Sequence, residues 1–171
     1  MKGVRFDMKC TLTYLKEQKY MGIKTRIVFS EHDAIDFRQL HAQVVNAGIP
    51  NRDDLDRFMA LDSDCQAESF CYTPMVPVTA FEGEDFFRFI RREGDYYCFE
   101  VNTKELGPAW FQACNAYIGE HGLKIDRTFD MEYYPEGYME RLDSKDPSPQ
   151  DQTICVIFRK LHESDSAMLE H

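Results

Sequence analysis

Alternating apolar and polar positions predict β-strands along much of the chain. Residues 8–16 alternate in this way, with Leu12 and Tyr14 on the face that we expect to be half-buried. Pro74 and Pro77 cannot donate backbone hydrogen bonds, so the strand that contains them is expected at a sheet edge or around a bulge. The pattern predicts the following further strands: 20–29, a short one near 58–61, 69–79, 85–92, 96–102, 127–134 and 153–160.

Apolar residues recur at helical spacing in two places. The first helix is predicted over residues 33–46, and Ser30 and Asp33 form a candidate capping box ahead of it. The second helix begins at Pro108, which suits a first helical turn because its missing N–H has no partner there. A glycine follows each predicted helix and is placed to end it in the left-handed conformation.

The order strand, helix, glycine occurs twice, from Tyr20 to Gly48 and from Tyr96 to Gly122. Sequence identity between the two segments is slight, so chance agreement of the pattern is a rival explanation of this repeat. We predict one domain over residues 1–168, with two repeats at about 8–80 and 81–161. Each repeat would supply one helix and about four strands, which gives an α+β fold with both helices on one face of a single antiparallel sheet.

Composition and charge exclude several classes of protein. The chain of 171 residues is 43% apolar, which is too much for a disordered chain. No apolar run approaches the roughly 20 residues that span a bilayer, so we expect no membrane contact. Acidic residues outnumber Lys and Arg by 30 to 20, and the net charge of −10 argues against direct nucleic-acid binding, which needs a basic surface.

The cellular location is inferred from the first residues and from the cysteines. The N-terminus has no apolar region followed by a small-residue cleavage site, so we predict no signal peptide. The six cysteines form no C-x-x-C pair and favour reduced thiols in a cytoplasmic protein, with a disulfide framework as the less favoured alternative. Residues 169–171 resemble the first part of a purification tag and carry no functional argument.

Motifs for metal, phosphate and nucleotide chemistry are absent from the sequence. The histidines are scattered, with no H-E-x-x-H motif or Cys/His cluster, so no zinc site is expected. There is no G-x-S-x-G, P-loop or G-x-G-x-x-G motif, which leaves serine hydrolases, kinases and dehydrogenases without support. We therefore expect no metal and no cofactor.

The most informative segment for function is the strand at 128–134. Alternation puts Asp130, Glu132 and Tyr134 on one face, opposite three apolar or aromatic residues. A carboxylate beside a tyrosine on a concave sheet is a cation-binding arrangement, because the acid supplies charge and the ring face attracts cations by about 0.5–2 kcal/mol. The alternative is that Glu132 is an ordinary outward-facing strand residue.

The 23 aromatic residues exceed what a core of this size needs and suit a pocket for flat or apolar ligands. Trp110, the single tryptophan, and Phe111 lie about 100° apart on the second helix, so one is expected in the core and the other at a cleft rim. Tyr72 and Tyr97 belong to a set of aromatics that is mostly core and that also offers candidates for the pocket wall.

Several stretches, taken in order, resemble the GyrI-like (DNA gyrase inhibitor-like) small-molecule-binding domain, which is also the effector-binding half of AraC-type and MerR-type transcription activators. The resemblance covers roughly residues 8–161. Gly94–Phe99 resembles the G-x-Y-x-x-F strand of the family, and Phe129–Tyr134 resembles its Glu-x-Tyr strand. The remaining matching stretches are Tyr20–Ile49, Gly107–Phe111, Tyr117–Gly122 and Thr153–Leu161.

The resemblance implies a duplicated βαββ fold with an SHS2-like pseudo-twofold axis, an antiparallel eight-stranded sheet, two main helices on one face and a central ligand cleft. It implies that Glu132 is the counter-charge of a cationic or amphiphilic ligand, that Tyr134 is the matching tyrosine and that Trp110 is an aromatic wall. The chain departs from the family pattern in its closing strand, which lacks the usual proline, and in the acidity of its loop at 135–151. Both departures bear on ligand preference and leave the implied fold unchanged.

Three functions are compatible with these observations. The first is a stand-alone protein that binds cationic or amphiphilic aromatic small molecules in drug sensing, resistance or transcription regulation, since the domain leaves no room for a helix-turn-helix. The alternatives are a small hydrolase in which Glu132 activates water on an electrophilic ligand, and an acidic inhibitor that docks an unknown basic protein through residues 53–68 and 130–151. Binding without catalysis is the first hypothesis. The candidate ligand-binding residues are Glu132, Tyr134, Trp110, Tyr97, Tyr72 and Phe111.

Overall fold

A computed structural model describes residues 6–53, 55–142 and 152–162. Most of the acidic loop and the tag-like residues 169–171 lie outside the described residues. The strands are β1 (Cys10–Leu15), β2 (Gln18–Gly22), β3 (Thr25–Val28), β4 (Met59–Ser63), β5 (Ser69–Val78), β6 (Phe87–Arg91), β7 (Gly94–Asn102), β8 (Asp130–Tyr133) and β9 (Thr153–Arg159). The helices are α1 (Phe37–Val45), α2 (Pro108–Glu120) and α3 (Tyr138–Leu142), with a 3-10 helix at Phe29–Ala34.

All nine strands belong to one antiparallel sheet in the order β1-β7-β9-β8-β4-β5-β2-β6, and β3 pairs with β5 beyond the end of β2. The order reads the same from either end when β1 is exchanged with β6, β2 with β7, β4 with β8 and β5 with β9. The centre of this symmetry lies between β4 and β8. The α+β class and the antiparallel sheet are confirmed, and the strand order has the two-fold character that a duplicated βαββ unit would give.

The sheet has nine strands where eight were expected, because the predicted strand at 20–29 is interrupted. β2 ends at Gly22 and β3 begins at Thr25, so that both segments pair with the same long strand β5. A Cβ atom on Gly22 would lie 2.1 Å from the carbonyl oxygen of Pro74. Only glycine permits this close approach of the two backbones.

Two short connections force the sheet to curve. Two residues join β1 to β2 and two join β6 to β7, although each connection links opposite halves of the strand order. Three residue steps span at most about 11 Å, so Leu15 and Gln18 hold the two ends of the sheet close together. The concave face therefore buries a core of its own, whose members include Tyr20, Met59 and Met75.

Both main helices pack on the other face of the sheet, over a larger core. Trp110, Cys114 and Ile118 recur at intervals of four on α2 and are buried there, as are Val44 and Val45 of α1. This confirms that the helices lie on one side. None of the helices among the described residues is long and apolar enough to cross a membrane.

The start of α1 differs from the prediction. The candidate capping box at Ser30 and Asp33 lies in the 3-10 helix, and α1 begins after Asp36. The Asp36 carboxylate accepts a hydrogen bond from the backbone N–H of Gln39 at 3.2 Å, and this bond caps the helix. Pro108 opens α2 as predicted, and the glycines after both helices have the expected positive φ angles.

Two expectations about strand environment were wrong. β5 was expected at an edge or around a bulge, but it pairs in continuous register with β4 on one side and with β2 and β3 on the other. Its prolines still serve as acceptors, since the Pro77 carbonyl accepts from a loop N–H at 2.8 Å. Leu12 and Tyr14 are more than half exposed, because β1 is an end strand of the sheet.

Candidate ligand-binding site

Glu132 lies at the centre of the sheet, on the face that carries the helices. Its strand β8 runs between β4 and β9, and Glu132 is opposite Ala60 on one side and Val156 on the other. Both neighbours belong to the core beneath the helices. The Glu132 side chain is buried, with a relative exposure of 5%. It is therefore not an outward-facing strand residue, and a buried acid of this kind is costly unless it is paired or protonated.

A second carboxyl group contacts Glu132. Asp62 of β4 is opposite Asp130 of β8, which makes it the diagonal neighbour of Glu132 on the same face. The carboxyl groups of Asp62 and Glu132 are hydrogen-bonded to each other. Two carboxyl oxygens can share a hydrogen bond only when one of them carries a proton. The hydrogen-bonded form of the pair is therefore the one with a single proton and a single negative charge.

Burial raises the pKa of both acids. For Asp62 the loss of solvation acts together with the nearby charge of Glu132, and the pKa rises well above its usual value. For Glu132 the loss of solvation again raises the pKa, whereas hydrogen bonds from Asp62 and Tyr134 lower it. This asymmetry makes Asp62 the protonated partner, donating to an ionised Glu132.

A chain of aromatic side chains leads to Glu132. The Tyr134 hydroxyl donates to Oε1 of Glu132 at 3.1 Å, and Tyr134 is in turn hydrogen-bonded to Tyr72. The Nε2 atom of His41 contacts the Tyr72 hydroxyl, and its Nδ1 atom lies 2.6 Å from the hydroxyl of Tyr138. The network thus joins α1, α3, β5 and β8 through one line of hydrogen bonds.

The direction of these hydrogen bonds follows from the number of protons available. Each hydroxyl has one proton, and Tyr134 gives its proton to Glu132, so Tyr72 must donate to Tyr134. His41 therefore donates from Nε2 to Tyr72 and accepts at Nδ1 from Tyr138. Burial lowers the pKa of His41 to about 3, which keeps the ring neutral, so that one nitrogen can donate and the other can accept. All donors point toward Glu132, so the network stabilises a negative charge there.

Aromatic rings fill the space above the acid. The rings of Tyr134 and Tyr138 are stacked with centroids 4.6 Å apart, and Phe58 lies edge-on to Tyr134 at 5.3 Å. His41 lies 4.9 Å from Phe58 and 5.1 Å from Tyr134, measured between ring centroids. Tyr138, on the short helix α3, closes the cluster from outside. The centre of the predicted cleft is therefore occupied by the protein's own rings.

Two cavities lie near this cluster without reaching the acid. One, of about 190 Å³, is bordered by Phe58, Tyr138 and the loop at 135–137. The other, of about 310 Å³, opens on the concave face and is bordered by residues such as Thr13, Cys98 and Tyr133. Neither is lined by Glu132. The first lies against the outer side of the aromatic cluster, where a small displacement of α3 would extend it inward.

Three of the six predicted site residues lie in the network around Glu132, and the other three lie elsewhere in the fold. Glu132, Tyr134 and Tyr72 are in one hydrogen-bonded network. Trp110 is 2% exposed and lies edge-on to the half-buried Phe111 with centroids 5.2 Å apart, so this pair is built as one core residue and one residue nearer the surface. Tyr97 is half-buried on β7, two strands away from Glu132.

The sequence reasoning missed four residues of the network, namely Asp62, His41, Phe58 and Tyr138. His41 had a usable signal, because it lies four residues after Phe37 and three before Val44 and thus on the inward face of α1. Asp62 had none, because only the pairing of β4 with β8 brings it to Glu132. Across the described part of the chain, no three His, Cys, Asp or Glu side chains are arranged to hold a metal ion.

Comparison with known proteins gives the fold a context. No protein-family model matches the chain, and no curated protein is significantly similar in sequence. Among solved structures, a protein of Staphylococcus aureus MU50 named as a bacterial transcription regulation protein is 15% identical, with a TM-score of 0.56 over 91% of this chain and all of that one. SAV2435 bound to tetraphenylphosphonium is 16% identical, with a TM-score of 0.54 over 96% of this chain and all of that one. The C-terminal domain of EcmrR is 12% identical, with a TM-score of 0.53 over 90% of this chain and 99% of that one. The chain therefore shares the fold of these proteins.

Proposed function

We propose that the chain is a GyrI-like binding domain for cationic aromatic or amphiphilic small molecules, with Glu132 as the counter-charge. One observation carries the proposal, namely that the Glu132 carboxyl group is buried among aromatic rings without a cationic partner. Among the residues that the structure describes, Glu132 interacts with hydroxyl and carboxyl groups and with no Lys, Arg or charged His. A ligand cation would supply the missing charge.

The surrounding rings suit such a ligand in chemistry as well as in shape. The ring faces of Tyr134 and Tyr138 are stacked on each other and that of Tyr72 on His41. Once separated they would attract a cation, and Phe58 would add apolar surface. The rings now occupy the space that a ligand would need, so binding requires Tyr138 and α3 to move outward. SAV2435, which has the same fold, binds tetraphenylphosphonium, a bulky aromatic monocation. We propose a similar ligand class for this chain, in a sensing or resistance role.

The proposal is tested by titrating the protein with tetraphenylphosphonium and following the fluorescence of Trp110, the single tryptophan. We expect saturable binding in the wild type and a loss of affinity of more than about tenfold in Glu132→Gln, which corresponds to at least about 1.4 kcal/mol. The matched control is Glu120→Gln, since Glu120 is an exposed acid at the end of α2. Equal affinity in Glu132→Gln and the control would contradict the role of Glu132.

One observation also favours a second candidate, hydrolysis of an electrophilic ligand. Asp62 and Glu132 form a protonated and an ionised carboxyl in contact, the arrangement that general acid–base catalysis uses. Incubation with an electrophilic cationic ligand, followed by mass spectrometry, distinguishes the two functions. Recovery of the ligand unchanged after stoichiometric binding supports binding alone, and turnover that is lost in Glu132→Gln supports hydrolysis.

A further inference from the structure

We propose that uptake of a cation at Glu132 expels the proton held between Glu132 and Asp62, so that Asp62 sets the pH dependence of binding. This inference rests on the proposed function and assigns to Asp62 a role that neither the sequence nor the fold comparison supplies. It predicts a ligand affinity that is coupled to proton release.

The geometry supplies the proton. Asp62 and Glu132 lie on adjacent antiparallel strands, on one face and in diagonal register, and their carboxyl groups share a hydrogen bond. In the unliganded protein the Asp62 O–H donates to the Glu132 carboxylate. When a fixed cation settles against Glu132, it stabilises negative charge on both acids. The Asp62 O–H bond then breaks, the proton passes to water, and no covalent bond forms between protein and ligand.

Among the described residues, no basic side chain is seen to act on Asp62 or Glu132 directly, although Arg38 acts on Tyr138 of the network. Near the start of β8, Arg127 acts on Asp130, and its guanidinium donates to Asn115 at 3.1 Å. His41 is neutral, as described above. Titratable and charged groups from several elements face the pair or its network. On the strand side they are Arg127 before β8, Asp130 on β8, Tyr134 after β8, Cys65 after β4 and Tyr72 on β5. On the helix side they are His41 and Arg38 on α1, Cys114 on α2 and Tyr138 on α3.

The sign of the effect follows from linkage. Burial raises the pKa of both acids, so the unliganded pair retains its proton to a higher pH than two solvent-exposed carboxyl groups would. A bound cation favours the doubly ionised pair and lowers the pKa at which the proton leaves. Between these two pKa values, binding releases up to one proton. The dissociation constant then falls by up to about tenfold for each unit of rising pH.

The experiment uses the full chain and tetraphenylphosphonium, whose charge does not change with pH. Titration calorimetry at pH 7 in two buffers of different ionisation enthalpy counts the protons released, and Trp110 fluorescence gives the dissociation constant from pH 5.5 to 8.5. We expect proton release in the wild type and tighter binding at higher pH. In Asp62→Asn the amide still donates to Glu132, so we expect no proton release, a flat pH profile, an affinity close to that of the wild type at pH 5.5 and weaker binding than the wild type at pH 8.5.

The control is Asp130→Asn, which removes a neighbouring acid on the same face and leaves the hydrogen-bonded pair intact. We expect it to keep the proton release of the wild type. Binding by the wild type without proton release, or a wild-type pH slope in Asp62→Asn, overturns this inference and leaves the proposed function standing. The wild-type proton count decides the matter even if Asp62→Asn does not fold. Absence of binding at every pH overturns the proposed function and this inference with it.

Discussion

Replacement of His41 by Phe tests whether the network is held by a neutral imidazole. Burial lowers the pKa of His41 from 6.5 to about 3, because the ring is enclosed by Phe58, Tyr72, Tyr134 and Tyr138. In the unfolded chain the ring takes up a proton below pH 6.5, and in the folded protein it does not. The stability contributed by the neutral ring is therefore complete above pH 6.5 and is lost as the pH falls toward 3.

The magnitude follows from the size of this shift. Each unit of pKa difference is worth about 1.4 kcal/mol, so His41 alone removes at most about 5 kcal/mol of unfolding free energy across the whole interval. Between pH 6.5 and 5 the expected loss is about 2 kcal/mol. His41→Phe keeps a ring in place but cannot titrate, so the variant lacks this loss. At neutral pH it is less stable by about 1–3 kcal/mol, because the Tyr138 hydroxyl loses its acceptor.

The assay is urea unfolding of the wild type and His41→Phe at pH 7.5, 6.5, 5.5 and 5, with the difference in unfolding free energy plotted against pH. Taking the difference removes the opposing contribution of Asp62 and Glu132, whose raised pKa values make the folded protein gain stability as the pH falls. His121→Gln, at an exposed histidine after α2, is the control and should follow the wild type. A difference between wild type and His41→Phe that does not change with pH would refute the neutral buried ring.

Two further predictions concern stability and are measured by urea unfolding at pH 7.5. Trp110→Ala should cost about 3–5 kcal/mol, because it empties a fully buried position, and Phe111→Ala should cost less because Phe111 is half-buried; equal costs would contradict the assignment of Trp110 to the core. Asp56→Asn should cost about 3–5 kcal/mol, because it removes the carboxylate 3.1 Å from the buried guanidinium of Arg91. A cost below about 1 kcal/mol would show that Arg91 does not depend on this partner.

The elements with strong local signals could be predicted from the sequence. The helix at Pro108 and the strand containing Glu132 follow from spacing that is set within a few residues. The start of α1 could not be placed as well, because Ser30 and Asp36 are both good caps and the choice depends on where the 3-10 helix ends. β5 was expected at an edge or a bulge because its two prolines lack backbone donors. The sequence does not show that Gly22 lets β2 approach Pro74 or that a loop N–H bonds to the Pro77 carbonyl.

The site was predicted only in part, because its polar residues meet through long-range pairing. Glu132 and Tyr134 are two residues apart on one strand, and their common face can be read from alternation. Asp62 is 70 residues away from Glu132 along the chain, and only the register of β4 against β8 makes them neighbours. Tyr138 resembles an ordinary surface residue in the sequence until α3 is packed on the sheet, whereas the spacing of His41 from Phe37 and Val44 indicates the inward face of α1.

The cost of burying the acid pair explains how such a site could distinguish cations from neutral aromatics of the same shape. A neutral ligand that displaced Tyr138 would gain ring contacts, yet it would leave the Glu132 charge without water and without a partner. A cation makes the same ring contacts and also stabilises that charge. The chain of hydroxyl groups through Tyr134 and Tyr72 reduces the free-energy cost of burying the Glu132 carboxylate in the unliganded protein. It does not cancel this cost, since neutral donors stabilise a carboxylate less than a full positive charge does. Under the proposed function, discrimination by charge would arise from an unfavourable feature of the unliganded fold, and the aromatic rings would decide which cations fit.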